Sequence, residues 1–329
     1  MHILVTGSEG FIGSHLVEKL IQKKAKVTVL VKYNFQSDTG WLSNDILKKC
    51  KIVFGDIEDL NFINSLLKGV DIVVNLAALI SIPYSYVSAK SYITTNILGT
   101  YNILEASKQN KIKKIILTST SEVYGSAKYV PIDENHILQP QSPYSASKIA
   151  ADQIGLSYFN SFNLPVVIAR PFNTFGPRQS TRAVIPSIIT QMLSNSKFIK
   201  IGDTKTKRDF SYVEDTAEFF MKIIYSKKNL NGEILNYGSG HSVTISRVYE
   251  IIKSITNSKS VISYEKKRFR PKNSEVRELL CDNKKVIKML GVQNLKNKEA
   301  QLIKGLKKTV DWYSKKENLD KFRVGEYNL

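Results

Sequence analysis

Tyr144 and Lys148 stand four residues apart in the run Ser142-Pro143-Tyr144-Ser145-Ala146-Ser147-Lys148. On a helix that spacing puts a phenol and an ammonium on one face. A positive charge beside a phenol favours phenolate, so the pair is expected to lower the tyrosine pKa and let its oxygen exchange protons near neutral pH. Taking the proton of a sugar hydroxyl requires such a group. In a chain with 16 tyrosines and 48 lysines plus arginines, the same spacing also describes an ordinary solvated helix, so the surroundings must decide.

The strongest neighbour is the loop Gly7-Ser8-Glu9-Gly10-Phe11-Ile12-Gly13. It follows an apolar run and opens a helical pattern, with a second apolar run returning at Val27. Glycines there permit a tight turn and close approach to a pyrophosphate, while the helix start offers amide donors and a favourable dipole. The residues expected to hold a dinucleotide are Gly7, Gly10, Phe11, Ile12 and Gly13, then Asp56 and Ile57 after the third strand, and Leu76, Ala77 and Ala78 after the fourth. The second strand ends Val29-Leu30-Val31-Lys32, without the carboxylate that reads the ribose 2′-hydroxyl of NAD. The cofactor is therefore NAD or NADP, with Lys32 tilting the choice slightly toward NADP.

Positioning these groups requires alternating strands and helices. Apolar runs at 3–5, 27–31, 52–54, 72–76, 115–117 and 166–169 are expected strands, with helices at about 11–24, 59–68, 88–109 and 144–162 between them. That alternation predicts an α/β protein with a doubly wound, Rossmann-type parallel sheet. After Arg170-Pro171 the pattern loosens into Pro- and Gly-punctuated loops, with helices near 183–194, 213–226, 244–257, 282–290 and 299–316. This predicts a dinucleotide-binding domain over 1–175, with a segment near 208–238 partly returning to it, and a smaller mixed α/β substrate-binding lobe over 176–329. Residues 317–329 read as a polar tail.

The 329 residues can bury a large core, and 42% hydrophobic with 23% charged residues is ordinary for a globular protein. The formal charge of +19 suggests nucleic acid, but the lysines are scattered and no recognition module accompanies them, so no nucleic-acid partner is expected. Such a field would help draw in a small anionic substrate. No apolar run is long enough to span a bilayer and the start lacks a signal-peptide pattern, so a cytoplasmic protein without membrane contact is expected. Cys50 and Cys281 are read as free thiols, and no metal site is expected.

Together with Thr118-Ser119-Thr120-Ser121-Glu122-Val123-Tyr124-Gly125, Asn75–Ala78 and Arg170-Pro171-Phe172-Asn173-Thr174-Phe175-Gly176-Pro177-Arg178, the glycine loop and the Tyr144/Lys148 pair resemble the extended short-chain dehydrogenase/reductases that act on nucleotide sugars. Arg208-Asp209-Phe210 and Arg268-Phe269-Arg270-Pro271 extend the resemblance into the second lobe. The stretches 130–134 and 270–276 look most similar to 4,6-dehydratases of N-acetylglucosamine nucleotides that open the legionaminic acid route. The resemblance implies that Thr120 binds the sugar 4-hydroxyl, Tyr144 takes its proton during C4 oxidation, and Lys148 holds the nicotinamide ribose. Glu122 would remove the C5 proton, water would leave across C5 and C6, and hydride would return to C6. The cofactor would thus be recycled and stay tightly bound. Asn173, Arg178, Val184, Arg208 and Arg270 are implied in substrate binding, and Asn96 either orders the site or serves packing.

One departure stands out. Many such dehydratases carry Asp immediately before the Glu, to protonate the leaving 6-hydroxyl, whereas this chain has Ser121. A 4-epimerase would need only Thr120, Tyr144 and Lys148, and a Ser-Glu pair also occurs in relatives that decarboxylate a nucleotide-linked glucuronic acid. A non-catalytic dinucleotide sensor is a remoter alternative, because sensors can dispense with the Tyr/Lys pair. By analogy with relatives, a homodimer is expected through the helices beginning near 88 and 144.

Overall fold

The computed structural model describes residues 1–292 and 297–324. The expected strands are present as β1 (His2–Thr6), β2 (Lys26–Lys32), β3 (Lys51–Gly55), β4 (Ile72–Asn75), β5 (Lys114–Thr118) and β6 (Val166–Pro171). Their Val/Ile/Leu runs suit strands covered on both faces. All pair in parallel, and Ile234–Tyr237 adds a seventh strand beside β6, giving the order Ile234–Tyr237, β6, β5, β4, β1, β2, β3. The chain winds outward from β1 to β3, then crosses to β4 and winds the other way. The reversal between β1 and β4 opens a crevice at the strands' carboxyl ends, where ligands bind in such sheets.

Alternate residues of each strand feed different cores, as the pleat requires. Ile3 and Val5 pack with Leu16, Leu20, Phe219 and Phe220 from helices Phe11–Gln22 and Val213–Tyr225, while Leu4 packs with Ile63, Ile103 and Leu104 on the opposite face. The second lobe has its own core, built from Ile185, Ile189, Val248, Ile252, Leu306 and Val310 on helices Val184–Leu193, Ile245–Thr256 and Lys298–Tyr313. A three-stranded and a two-stranded sheet complete it.

Two expectations need correction. The single helix expected over 88–109 is divided into Ala89–Tyr92, a π-helical stretch Ile93–Leu98 and Gly99–Gln109. The polar tail expected from 317 onward contains the end of a short helix, Lys316–Leu319, and the Phe322 ring stacks on Trp41 with centroids 6.0 Å apart. One aromatic residue suffices to dock the segment; residues 325–329 of that expectation lie outside the described residues. Among the described residues no helix is long and apolar enough to cross a membrane.

Candidate active site

At the end of β1, Gly7 turns with φ +61°, and a Cβ added there would lie 2.8 Å from the Ala77 amide nitrogen. The loop thus lies directly against the chain leaving β4. Thr6 fixes that contact: its hydroxyl donates to Asn75 Oδ1 at 2.7 Å and accepts the Ala77 N–H at 3.1 Å. Helix Phe11–Gln22 begins at Gly10 with no side-chain cap and no acidic residue in its first turn. Its leading amides are therefore available to an anion.

Helix Pro143–Phe162 starts on a reciprocal cap, in which Ser142 Oγ accepts the Ser145 N–H at 3.1 Å and Ser145 Oγ accepts the Ser142 N–H at 3.0 Å. Proline at the first position needs no hydrogen bond there. Tyr144 and Lys148 consequently occupy the first two turns of one face, both buried. Their electrostatics differ from the sequence expectation. Burial pushes the Tyr144 phenol well above its ordinary value, and only the neighbouring Thr120 hydroxyl pulls it back, while the charges of Glu122 and Asp152 add to the push. The Lys148 ammonium donates to the Thr118 carbonyl at 2.5 Å, and burial lowers its own pKa. Spacing predicts proximity, but it does not reveal the loss of water that dominates here.

Below the pair lies a buried charge network that the sequence reasoning missed. Asp152 accepts from Ser119 Oγ at 2.6 Å and from Arg170 Nε at 2.9 Å, and Arg170 donates to the Tyr124 hydroxyl at 2.9 Å. That hydroxyl donates to Asn236 Oδ1 at 2.7 Å, and burial raises its pKa to about 12. Asp152 follows Lys148 by four residues, the same interval that separates Lys148 from Tyr144, and that repeat was a usable signal. Asn96, in the π-helical stretch, accepts the Leu79 N–H at 2.9 Å and donates to Ser147 Oγ at 3.0 Å, tying the chain beyond β4 to the Tyr144 helix.

The second lobe brings arginines over the same opening. Arg270 Nη1 lies 3.4 Å from Glu122 Oε2, and Arg208 Nη2 lies 3.0 Å from Glu275 Oε1. Glu275 is another residue that the sequence did not single out. Asn173 Oδ1 is buried without a partner. Arg178 is placed differently: its guanidinium donates to Glu18 at 2.6 Å and Ser14 at 3.1 Å on the first helix, joining the two lobes. Val184 begins helix Val184–Leu193.

The glycine loop, Thr120, Glu122, Tyr144, Lys148, Asn173 and the arginines Arg178, Arg208 and Arg270 surround one cavity of about 800 Å³. Every residue selected from the sequence as catalytic, cofactor-binding or substrate-binding lines it. Glu9, Trp41 and Arg182 line it too and were not selected. The residues fit a nicotinamide dinucleotide: the glycine loop approaches the β4 end closely, the helix amides are open, and orphaned polar atoms of Glu9, Thr118 and Asn173 face groups still to be supplied. The arginines and the buried Tyr144, Lys148 and Glu122 suit an anionic sugar derivative at the other end.

The family model for GDP-mannose 4,6 dehydratase matches residues 4–302. A putative UDP-glucose 4-epimerase of Methanocaldococcus jannaschii is 34% identical over 94% of this chain and 97% of its own length. The dTDP-glucose 4,6-dehydratase DesIV of Streptomyces venezuelae, solved with NAD bound, superposes with a TM-score of 0.86 at 27% identity, covering 98% of this chain and 99% of that one. A UDP-N-acetylglucosamine 4-epimerase of Methanobrevibacter ruminantium, solved with UDP-N-acetylmuramic acid, gives a TM-score of 0.83 at 34% identity, covering 95% of this chain and 97% of that one.

Proposed function

The chain belongs to the GDP-mannose 4,6-dehydratase family of extended short-chain dehydrogenase/reductases, NAD(P)-dependent enzymes of nucleotide sugars, and we propose that it is a 4,6-dehydratase of UDP- or GDP-linked N-acetylglucosamine. The observation that carries the proposal is Glu122: a buried carboxylate in the same cavity as Thr120, Tyr144 and Lys148. An epimerase has no use for a base at that place.

In the proposed reaction Thr120 and Tyr144 hold the sugar 4-hydroxyl, and Tyr144 takes its proton. When bound, a nicotinamide dinucleotide would accept hydride from C4, return it to C6, and in its oxidised form bring a positive charge that favours phenolate. Lys148 orients the ribose side of the site through its anchor on Thr118. A ketone at C4 acidifies the C5 proton, which Glu122 removes as the 6-hydroxyl leaves. Ser121 is too weak an acid to protonate that leaving group. Glu122 therefore carries the proton from C5 to the departing oxygen, through Ser121 or a water; a solvent proton taken up by Glu122 is then delivered to C5 as C6 is reduced, and Tyr144 releases the 4-hydroxyl proton to solvent, so that one water is lost in total. Asn173, Arg208 and Arg270 hold the diphosphate, and Val184 and Arg178 border the same lobe.

The product would be a 4-keto-6-deoxy sugar for a nonulosonic (legionaminic) acid or another surface glycan, supported by the resemblance of 130–134 and 270–276. We assign residues 1–175, with the returning strand Ile234–Tyr237, to cofactor binding and most of 176–329 to the nucleotide sugar. A cytoplasmic setting suits that substrate class. A homodimer is supported by exposed Ile93, Leu98, Tyr101 and Phe162 on the helices beginning near 88 and 144.

Turnover in deuterated water tests the proposal. The dehydratase incorporates solvent deuterium at C5, and Glu122→Gln stops that incorporation; a product without deuterium at C5 rejects it. The second reading, a 4-epimerase, is favoured by Ser121 standing where the acid is expected and by the similarity to two named 4-epimerases.

A further inference from the structure

β2 ends at Lys32, without a carboxylate where dinucleotide folds hold the adenosine ribose. The glycine loop supplies one. Glu9 reaches the end of β2, where its Oε1 accepts the Lys32 backbone N–H at 3.0 Å. Its Oε2 is buried without a hydrogen-bond partner, and Glu9, Lys32 and Asp56 all line the cavity. A buried carboxylate oxygen without a donor is costly, so the orphan marks a place where a ligand's donor belongs.

The chain after β2 holds Glu9 in place. The Trp41 N–H donates to the Glu9 carbonyl at 3.1 Å, and Gly40, with φ +57°, passes so close that a Cβ would lie 2.6 Å from that oxygen. Lys32, the cation that suggested a 2′-phosphate, lies 3.5 Å from the Asp56 carboxylate with its side chain 66% exposed. Another cation of this corner, Lys321, lies over the Trp41 ring, 4.8 Å from its centroid. Lys32 is paired with Asp56 and Lys321 lies over the Trp41 ring, so the free Glu9 oxygen has neither as a hydrogen-bond partner. A 2′-phosphate would meet repulsion there, whereas a hydroxyl would find an acceptor.

We infer that Glu9 selects the cofactor: its free carboxylate oxygen accepts the adenosine 2′-hydroxyl of NAD and repels the 2′-phosphate of NADP. The carboxylate absent from β2 thus comes from the middle of the glycine loop, and the tilt toward NADP drawn from Lys32 is reversed. The inference rests on dinucleotide binding alone and is independent of the sugar reaction proposed above.

Calorimetric titration of the cofactor-freed protein with NAD and with NADP, without sugar, tests it. The wild type binds NAD ~100-fold more tightly than NADP, the scale of a charge-assisted hydrogen bond plus a like-charge clash. Glu9→Gln keeps an acceptor for the Lys32 amide while replacing the charge with a donor, and lowers that ratio by ~10-fold or more. The readout is the ratio of two affinities in one variant, which a general loss of folding does not shift. A wild type that prefers NADP, or a ratio unmoved by Glu9→Gln, overturns the inference.

Discussion

Arg270 and Glu122 face each other at 3.4 Å, so the cation proposed for the substrate diphosphate lies against the carboxylate proposed to take the C5 proton. Arg208 and Glu275 repeat the arrangement at 3.0 Å. Each arginine thus has a carboxylate partner before any diphosphate is present. In the proposed reaction, an Arg270 drawn to the diphosphate would release the Glu122 carboxylate.

Loss of Arg270 therefore affects the sugar nucleotide and leaves the dinucleotide alone. Arg270→Ala should raise KM for the nucleotide sugar by ~10-fold or more, the scale of a lost charge-assisted hydrogen bond. NAD affinity, measured by calorimetry, should stay unchanged. An unaltered KM would remove Arg270 from the diphosphate site.

Burial holds the Tyr144 phenol protonated beyond its ordinary pKa of 10.0. In cofactor-free protein the phenolate absorbance of wild type minus Tyr144→Phe should therefore be absent as the pH rises through neutrality, with ionisation beginning only above 10.0. The direction follows because a raised pKa in an acid extends its neutral form to higher pH. A difference signal titrating near neutrality would show that Lys148 governs the phenol after all.

The pair Asp152 and Arg170, 2.9 Å apart and almost wholly buried, underlies the site. Asp152→Asn removes the compensating charge and should cost ~3–5 kcal/mol of stability in urea denaturation, the cost of leaving an arginine charge buried and unpaired. A loss below ~1 kcal/mol, as for an exposed pair, would mean that the charge is solvated.

What the sequence made legible was local. Val27–Val31 and its sister runs mark strands because burial on both faces demands unbroken apolar stretches. The glycine loop is marked by close approaches that only glycine tolerates. On the Tyr144/Lys148/Asp152 face the four-residue spacing is visible, but the pairing of Asp152 with Arg170 on β6 is not. Side-chain reach between distant segments was hidden altogether: nothing in 7–13 announces that Glu9 meets Lys32, and nothing in 266–276 announces that Arg270 meets Glu122. Ile93–Leu98 keeps a helical pattern, so its π-helical geometry around Asn96 leaves no trace in periodicity.

The exposed side chains of Ile93, Leu98, Tyr101 and Phe162 give the dimer proposal a direct test. Light scattering at micromolar concentration should report a dimer, and Leu98→Glu, which places a charge on that face, should yield a folded monomer. A monomeric wild type would contradict it.

Mass spectrometry of the sugar after incubation with UDP- and GDP-N-acetylglucosamine separates dehydration from its alternatives. A 4,6-dehydratase gives a product lighter by one water from at least one of them, with no added reductant. Unchanged mass with inversion at C4, or no water lost from either sugar while a nucleotide-linked uronic acid releases carbon dioxide, would contradict dehydration.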